Sequence, residues 1–208
     1  MAKRVQKKTK SELASPKFHD RSAHQSSVLM ASYHVCDKLS KTRRQFILDI
    51  ANNHWIGRFE NIEDDAALKR ELRKWDKLRA SFLREATIPL ELHWFTCNWN
   101  ADRGSAPLRE IVKNNHCDAG TALRLYWIND PYYYRDHLTI GECRHDEERG
   151  ILRVLRTIER RFKLDNFATR HIPFDPTPWI DGDRSHSSAH EVPITMHGQV
   201  VAGSQNRG

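Results

Sequence analysis

Residues 63–86, EDDAALKRELRKWDKLRASFLREA, place Leu68, Leu72, Trp75, Leu78 and Phe82 at steps of four, three, three and four, with Leu83 beside the last. Steps of three and four follow the 3.6-residue turn, so these side chains form one stripe and the spacing predicts an amphipathic α-helix. Glu63, Asp64 and Asp65 crowd its start, and Arg79 and Arg84 its end. Acids at the N-terminus and bases at the C-terminus complement the helix dipole.

The same period recurs on both sides. Upstream, TRRQFILDIANNHW sets Phe46, Ile47, Ile50 and Ala51 on one face, with Gly57 as a stop. Downstream, Pro89 opens LELHWFTCNW, where Leu92, Phe95 and Trp99 lie three and four apart. APLREIVKNN follows Gly104 and Ser105, with Pro107 in the first turn and Leu108, Ile111 and Val112 facing inward. HDEERGILRVLRTIERRFKL aligns Ile151, Val154, Leu155, Ile158 and Phe162. Only the stretch from Tyr132 to Ile140 offers β-type residues, and it is too short for a sheet. The fold class is therefore all-α, a compact bundle of about five to seven helices.

Composition shifts mark the ends. Residues 1–27 carry +5 of the net charge of +7, residues 181–208 carry −1, and residues 28–180 carry the remaining +3. Both ends are poor in core formers, which predicts a basic disordered arm over 1–27, one helical domain over 28–180, and a disordered or loosely attached tail over 181–208. The first sixteen residues lack the apolar stretch of a secretory signal, and no run approaches a membrane span, so a cytoplasmic protein without membrane contact is expected. Cys36, Cys97, Cys117 and Cys143 are irregularly spaced and read as free thiols in or near the core.

The residues that carry chemistry point mostly to structure. In NNHCDAGTALRLYW, residues 114–127, His116, Cys117 and Asp118 stand side by side. Asp118 precedes a helical run and has Thr121 three residues on, the pattern of an N-cap whose carboxylate accepts from the amide of Gly120 or Thr121. On this reading Asp118→Asn costs little, because asparagine also caps. Trp99 and Trp127 are read as core anchors.

Each cysteine has a histidine within four residues: His34 with Cys36, His93 with Cys97, His116 with Cys117, and Cys143 with His145. His93 and Cys97 would lie one helical turn apart, a geometry that can hold zinc, but none of the spacings is a recognised zinc framework. The carboxylate pairs Asp64/Asp65 and Glu147/Glu148 sit at helix starts, and there is no phosphate-cradling glycine loop. No catalytic residue, metal ligand or cofactor is therefore expected.

Aromatic residues are dense in the second half, with Trp94, Trp99, Trp127, Phe174 and Trp179 around the run Tyr132, Tyr133, Tyr134, Arg135 and Asp136. Tyrosine beside arginine and aspartate is the residue mixture that anchors protein interfaces, which makes residues 132–136 the first candidate for a partner-binding surface.

From Leu92 to Trp179 the chain resembles the bacterial domain-of-unknown-function family numbered 4274. The resemblance rests on LHWFTCNWNADRG at 92–104, CDAGTALRLYW at 117–127 and IPFDP at 172–176. It implies a compact helical protein. Some similar proteins appear beside genes for secreted toxins, which implies an immunity protein that neutralises a cognate toxin by covering its active site. The leading expectation is thus a non-catalytic protein-binding module. The alternative is a nucleic-acid-associated protein using the basic residues from Lys3 to Arg21, with salt-sensitive affinity. A zinc-dependent hydrolase is the third reading.

Overall fold

Helix α4 (Pro89–Asn98) lies at the centre of the molecule, and every residue from Glu91 to Thr96 is buried. Its partner in the interior is α6 (Ala119–Ile128), buried from Ala119 to Trp127. Two helices buried on all faces need an outer layer, which α1 (Phe18–His34), α2 (Lys41–Ala51), α3 (Asp65–Glu85), α5 (Ala106–Lys113) and α7 (Asp146–Lys163) provide. The computed structural model describes residues 18–52, 62, 64–100, 103–137, 139–180 and 191–201. Among these the fold is all-α with seven α-helices, short 3-10 turns, and an antiparallel bridge between Phe174 and Val200 in place of a sheet. No described helix is long and apolar enough to cross a membrane.

α2 packs on α4, α5 on both α3 and α7, and α6 on α4 and α7. One hydrophobic cluster runs from Cys36 through Ile47, Leu83, Phe95, Trp127 and Leu155 to Val200, so the two halves of the chain share a core. α7 follows its periodicity, burying Ile151, Val154, Leu155, Ile158 and Phe162. α3 is capped by Asp64, whose carboxylate accepts from the amides of Ala66 (3.1 Å) and Ala67 (3.0 Å). Its apolar stripe is covered unevenly: Phe82 and Leu83 are buried and Trp75 packs half-buried against the core, whereas Leu78 is 42% exposed.

Polar groups tie the helix ends together. The Asn114 amide donates to the carbonyls of Leu83 (2.9 Å) and Ala86 (3.0 Å), which satisfies the end of α3. Arg161, on α7, donates from Nη1 to the carbonyls of Val112 (2.8 Å) and Asn114 (3.0 Å) and satisfies the end of α5. Arg43 on α2 makes a two-pronged ion pair with Glu91 on α4 at 2.6 and 2.7 Å.

Both chain ends differ in extent from the expectation of loose segments at 1–27 and 181–208. α1 begins at Phe18, inside the basic arm, and Gln25 donates to the Pro178 carbonyl at 3.1 Å. At the other end Met196 and Val200 are buried. They dock because the buried Trp127 indole N–H needs an acceptor, which the Met196 carbonyl supplies at 2.9 Å, and because Phe174 and Val200 exchange backbone hydrogen bonds. The rest of the arm, residues 1–17, the tail segments 181–190 and 202–208, and the expected stop at Gly57 lie outside the described residues.

Asp118 caps α6 as expected, accepting from the Gly120 amide at 2.8 Å. It does more than cap. Oδ2 accepts from the Thr169 hydroxyl (2.6 Å) and the His171 amide (2.7 Å), and Oδ1 also from the Ile172 amide (3.3 Å). The neighbouring Gly120 allows this approach, since a Cβ there would overlap the Ile172 carbonyl. The expectation that Asp118→Asn costs little is therefore corrected: an asparagine amide can keep the cap but turns a donor toward the Thr169 or His171 donors. With Asp118 fully buried, Asp118→Asn is predicted to lower unfolding stability by about 3 kcal/mol, read from urea denaturation midpoints, while Asp64→Asn at the exposed cap of α3 stays near wild type.

Candidate functional site

After α6 the chain must reverse. Asn129 ends the helix by donating its side-chain amide to the Leu125 carbonyl at 2.7 Å, and Asp130 adopts a positive φ of 48°. The 3-10 turn Tyr133–Asp136 follows, with the amide of Tyr134 bonded to the Pro131 carbonyl at 3.2 Å. This tight turn separates the three consecutive tyrosines. Tyr132 sets its ring edge-on to Trp127, with centroids 5.7 Å apart, and is half-buried. Tyr134 points inward and is buried. Tyr133 is 53% exposed, packed edge-on to Tyr134 at 4.9 Å.

Of the five expected partner-binding residues, Tyr132, Tyr133, Arg135 and Asp136 therefore line one surface cleft, while Tyr134 serves as its floor support. His137, Arg144 and Glu148 complete the lining, and the cleft holds about 480 Å³. Tyr133 donates its phenol O–H to Glu148 at 3.0 Å, which fixes the exposed ring over α7. That bond pushes the Tyr133 phenol above its ordinary range, whereas the Arg144 amide, donating to Glu148, holds the Glu148 carboxyl below its own. The phenol is thus a neutral donor and the carboxylate a charged acceptor at neutral pH. Arg156 steadies the turn from behind, donating to the His137 carbonyl at 3.0 Å and to both oxygens of Glu159 at 2.9 and 3.1 Å. Tyr126 donates to the same Glu159 at 2.8 Å, and burial raises its phenol out of the physiological range.

The cysteine–histidine pairs come apart in three of four cases. His34, His116 and His145 are exposed, while Cys36, Cys117 and Cys143 are buried. His93 is buried with both ring nitrogens engaged: Nε2 lies 2.8 Å from the Ser32 hydroxyl and Nδ1 lies 2.9 Å from the Thr121 hydroxyl. Thr121, expected as part of a cap, is instead the bridge between α6 and α4. Among the described residues no three His, Cys, Asp or Glu side chains gather as metal ligands.

The exception is the partly open Cys97. It interacts with the buried Cys36 thiol, and with His93 and Arg124 nearby its own thiol is held below the ordinary range, while Cys36 is raised by the same partner and by burial. Burial, with the neighbouring Asp118 carboxylate, pushes the Cys117 thiol up to about 12. Trp99, half-buried, stacks on Phe95 at 5.5 Å and lies between the guanidinium groups of Arg79 and Arg103, at 5.0 and 5.3 Å from the ring. One surface had no sign in the sequence, a cationic groove where α5 meets α7, because its residues come from separate elements and no local motif marks it.

Residues 88–163 match the family model described as Domain of unknown function (DUF4274). The matched span runs from the residue before α4 to the last residue of α7, and it contains both the 92–104 and 117–127 motifs, while IPFDP at 172–176 falls beyond it. No curated protein and no solved structure matches the chain.

The environments of the thiols set an order of reactivity, because the thiolate is the nucleophile. With iodoacetamide at neutral pH, Cys97 is expected to be alkylated first, and Cys36 and Cys117 only after denaturant is added, as followed by peptide mass spectrometry.

Proposed function

We propose that this chain, which carries the DUF4274 domain at residues 88–163, is a non-catalytic protein-binding module whose contact surface is the Tyr133 cleft. The observation that carries the reading is the exposed Tyr133 ring, held by Tyr134 beneath it and by Glu148 at its hydroxyl. A rigid aromatic side chain binds with little loss of rotamer freedom, and its hydroxyl adds directionality. Arg135 and Arg144 on one hand and Asp136 and Glu148 on the other give the rim both charges, which favours a specific over a merely adhesive surface.

The finer reading is an immunity protein bound to a cognate toxin. It draws on the family resemblance, which implies such a role, and on a cleft of the kind that protein anchors occupy. The alternative, binding of nucleic acid, draws on the concentration of positive charge at 1–27. The basic residues of this alternative run from Lys3 to Arg21, and those before Phe18, where α1 starts, are the ones a truncation can remove without cutting the helix.

Co-expression with the product of the adjacent gene should give a complex on size exclusion and protection from its toxicity. Tyr133→Ala should weaken that complex about tenfold or more, as expected for an aromatic anchor. Absence of both complex and protection refutes the proposal. Removal of residues 1–17 should leave the complex intact; retention of RNA or DNA that disappears with the same truncation favours the nucleic-acid alternative.

A further inference from the structure

The net charge of residues 28–180 is only +3, yet the fold concentrates cations along one seam. α5 and α7 pack through Leu108, Ile111 and Val112 on one side and Ile151, Val154, Leu155 and Ile158 on the other. Gly150 lets them come close, since a Cβ there would overlap the Ser105 side chain. The residues bordering this seam are Arg109 and Lys113 on α5 and Arg153, Arg156 and Arg160 on α7. Spacings of four on α5, and of three and four on α7, stack each set along one helix face, so the two rows confront each other. Thr157 and Ile140 complete a groove of about 360 Å³ with no carboxylate among its described lining residues.

Arg156 is held in place by Glu159 and the His137 carbonyl. Arg109, Lys113, Arg153 and Arg160 make no ion pair with any described residue. On the outer helices some bases pair locally, as in Lys74 with Glu71 and Arg149 with Asp146, and others, such as Lys69 and Lys77 on α3, pair with no described residue; what sets the seam apart is that its cations face one groove. Four unpaired cations facing one groove repel one another, a cost that an anionic occupant removes.

We infer that the α5–α7 groove is a docking site for an acidic, partly apolar peptide segment of a protein partner, an inference that rests on the protein-binding reading. Guanidinium forks bind carboxylates in two-pronged geometry, which suits the arginine rows. Ile140, 37% exposed at the groove, together with the aliphatic arginine stems gives an apolar residue of the same segment a place to lie. Among the described lining residues there is no aromatic ring on which a nucleic-acid base would stack, which favours carboxylates over a single-stranded polynucleotide.

The test uses the full chain and fluorescence anisotropy. The probes are a short labelled peptide alternating glutamate and leucine, its lysine–leucine counterpart, and a labelled oligothymidylate. The glutamate peptide should bind, weaken as salt rises, and lose about tenfold or more in affinity in Arg153→Glu/Arg160→Glu, while the lysine peptide should not bind the wild type. Both substituted residues are exposed, so the variant should keep the wild-type Tm and circular dichroism. Tyr133→Ala should bind the peptide as wild type does. No binding of the glutamate peptide, or binding unchanged by the double reversal, overturns the inference. Tighter binding of oligothymidylate, lost on the same reversal, overturns it in favour of a phosphodiester ligand. If the adjacent gene's product binds while the peptide does not, the groove assignment fails and the protein-binding reading stands. If the peptide binds while the gene product does not, the groove stands and the toxin partner fails.

Discussion

A single buried carboxylate organises the junction on which the interior depends. Asp118 is fully buried and receives hydrogen bonds from Gly120, Thr169, His171 and Ile172. Burial of a charge is costly unless it is fully hydrogen-bonded, and these four donors offset that cost. They also fix where residues 169–172 cross the start of α6. From that crossing the chain runs to Phe174, whose bridge to Val200 brings the C-terminal segment over Trp127. Remove the carboxylate and the donors of an entire crossing segment lose their acceptor.

The second layer of organisation is the use of side chains to finish backbone ends. Asn114 completes α3 and Arg161 completes α5, so α3, α5 and α7 are joined by hydrogen bonds as well as by apolar contact. That rigid seam has consequences at the surface. It aligns the cations of α5 with those of α7, and through Arg156 and Glu159 it reaches under the turn that presents Tyr133. The two candidate contact surfaces thus stand on one frame, with the α7 helix common to both: Glu148 serves the cleft, and Arg153 and Arg160 the groove. A partner large enough to touch both would meet an aromatic anchor at one place and a positive strip at the other.

Periodicity made most of the helices legible. The stripes of α5 and α7 are buried as their spacing requires, and Asp64 and Asp118 cap where a side-chain oxygen precedes a helical run. Periodicity was less informative where burial is complete or incomplete around a helix. α4 and α6 are covered on every face, so they have no polar side to reveal their central place. α3 has a well-formed stripe, but its neighbours α2 and α5 cover only part of it, and Leu78 remains outside. An apolar face states that a surface would gain from cover; it does not state how far the neighbouring element extends.

Local sequence was sufficient for the fold class, for most helices after α1 and for the two motifs inside the span matched by the family model, because each depends on residues within a few turns of one another. Which of the adjacent tyrosines faces out was settled by packing, since the turn at Asp130 and the contact with Trp127 assign Tyr132, Tyr133 and Tyr134 to different environments. Packing likewise settled that Asp118 holds residues 169–172, that His93 is locked between Ser32 and Thr121, and that five cations share a groove. In each case the partners are distant in the chain, and a hydrogen bond or a field between them exists only once packing has brought the helices together.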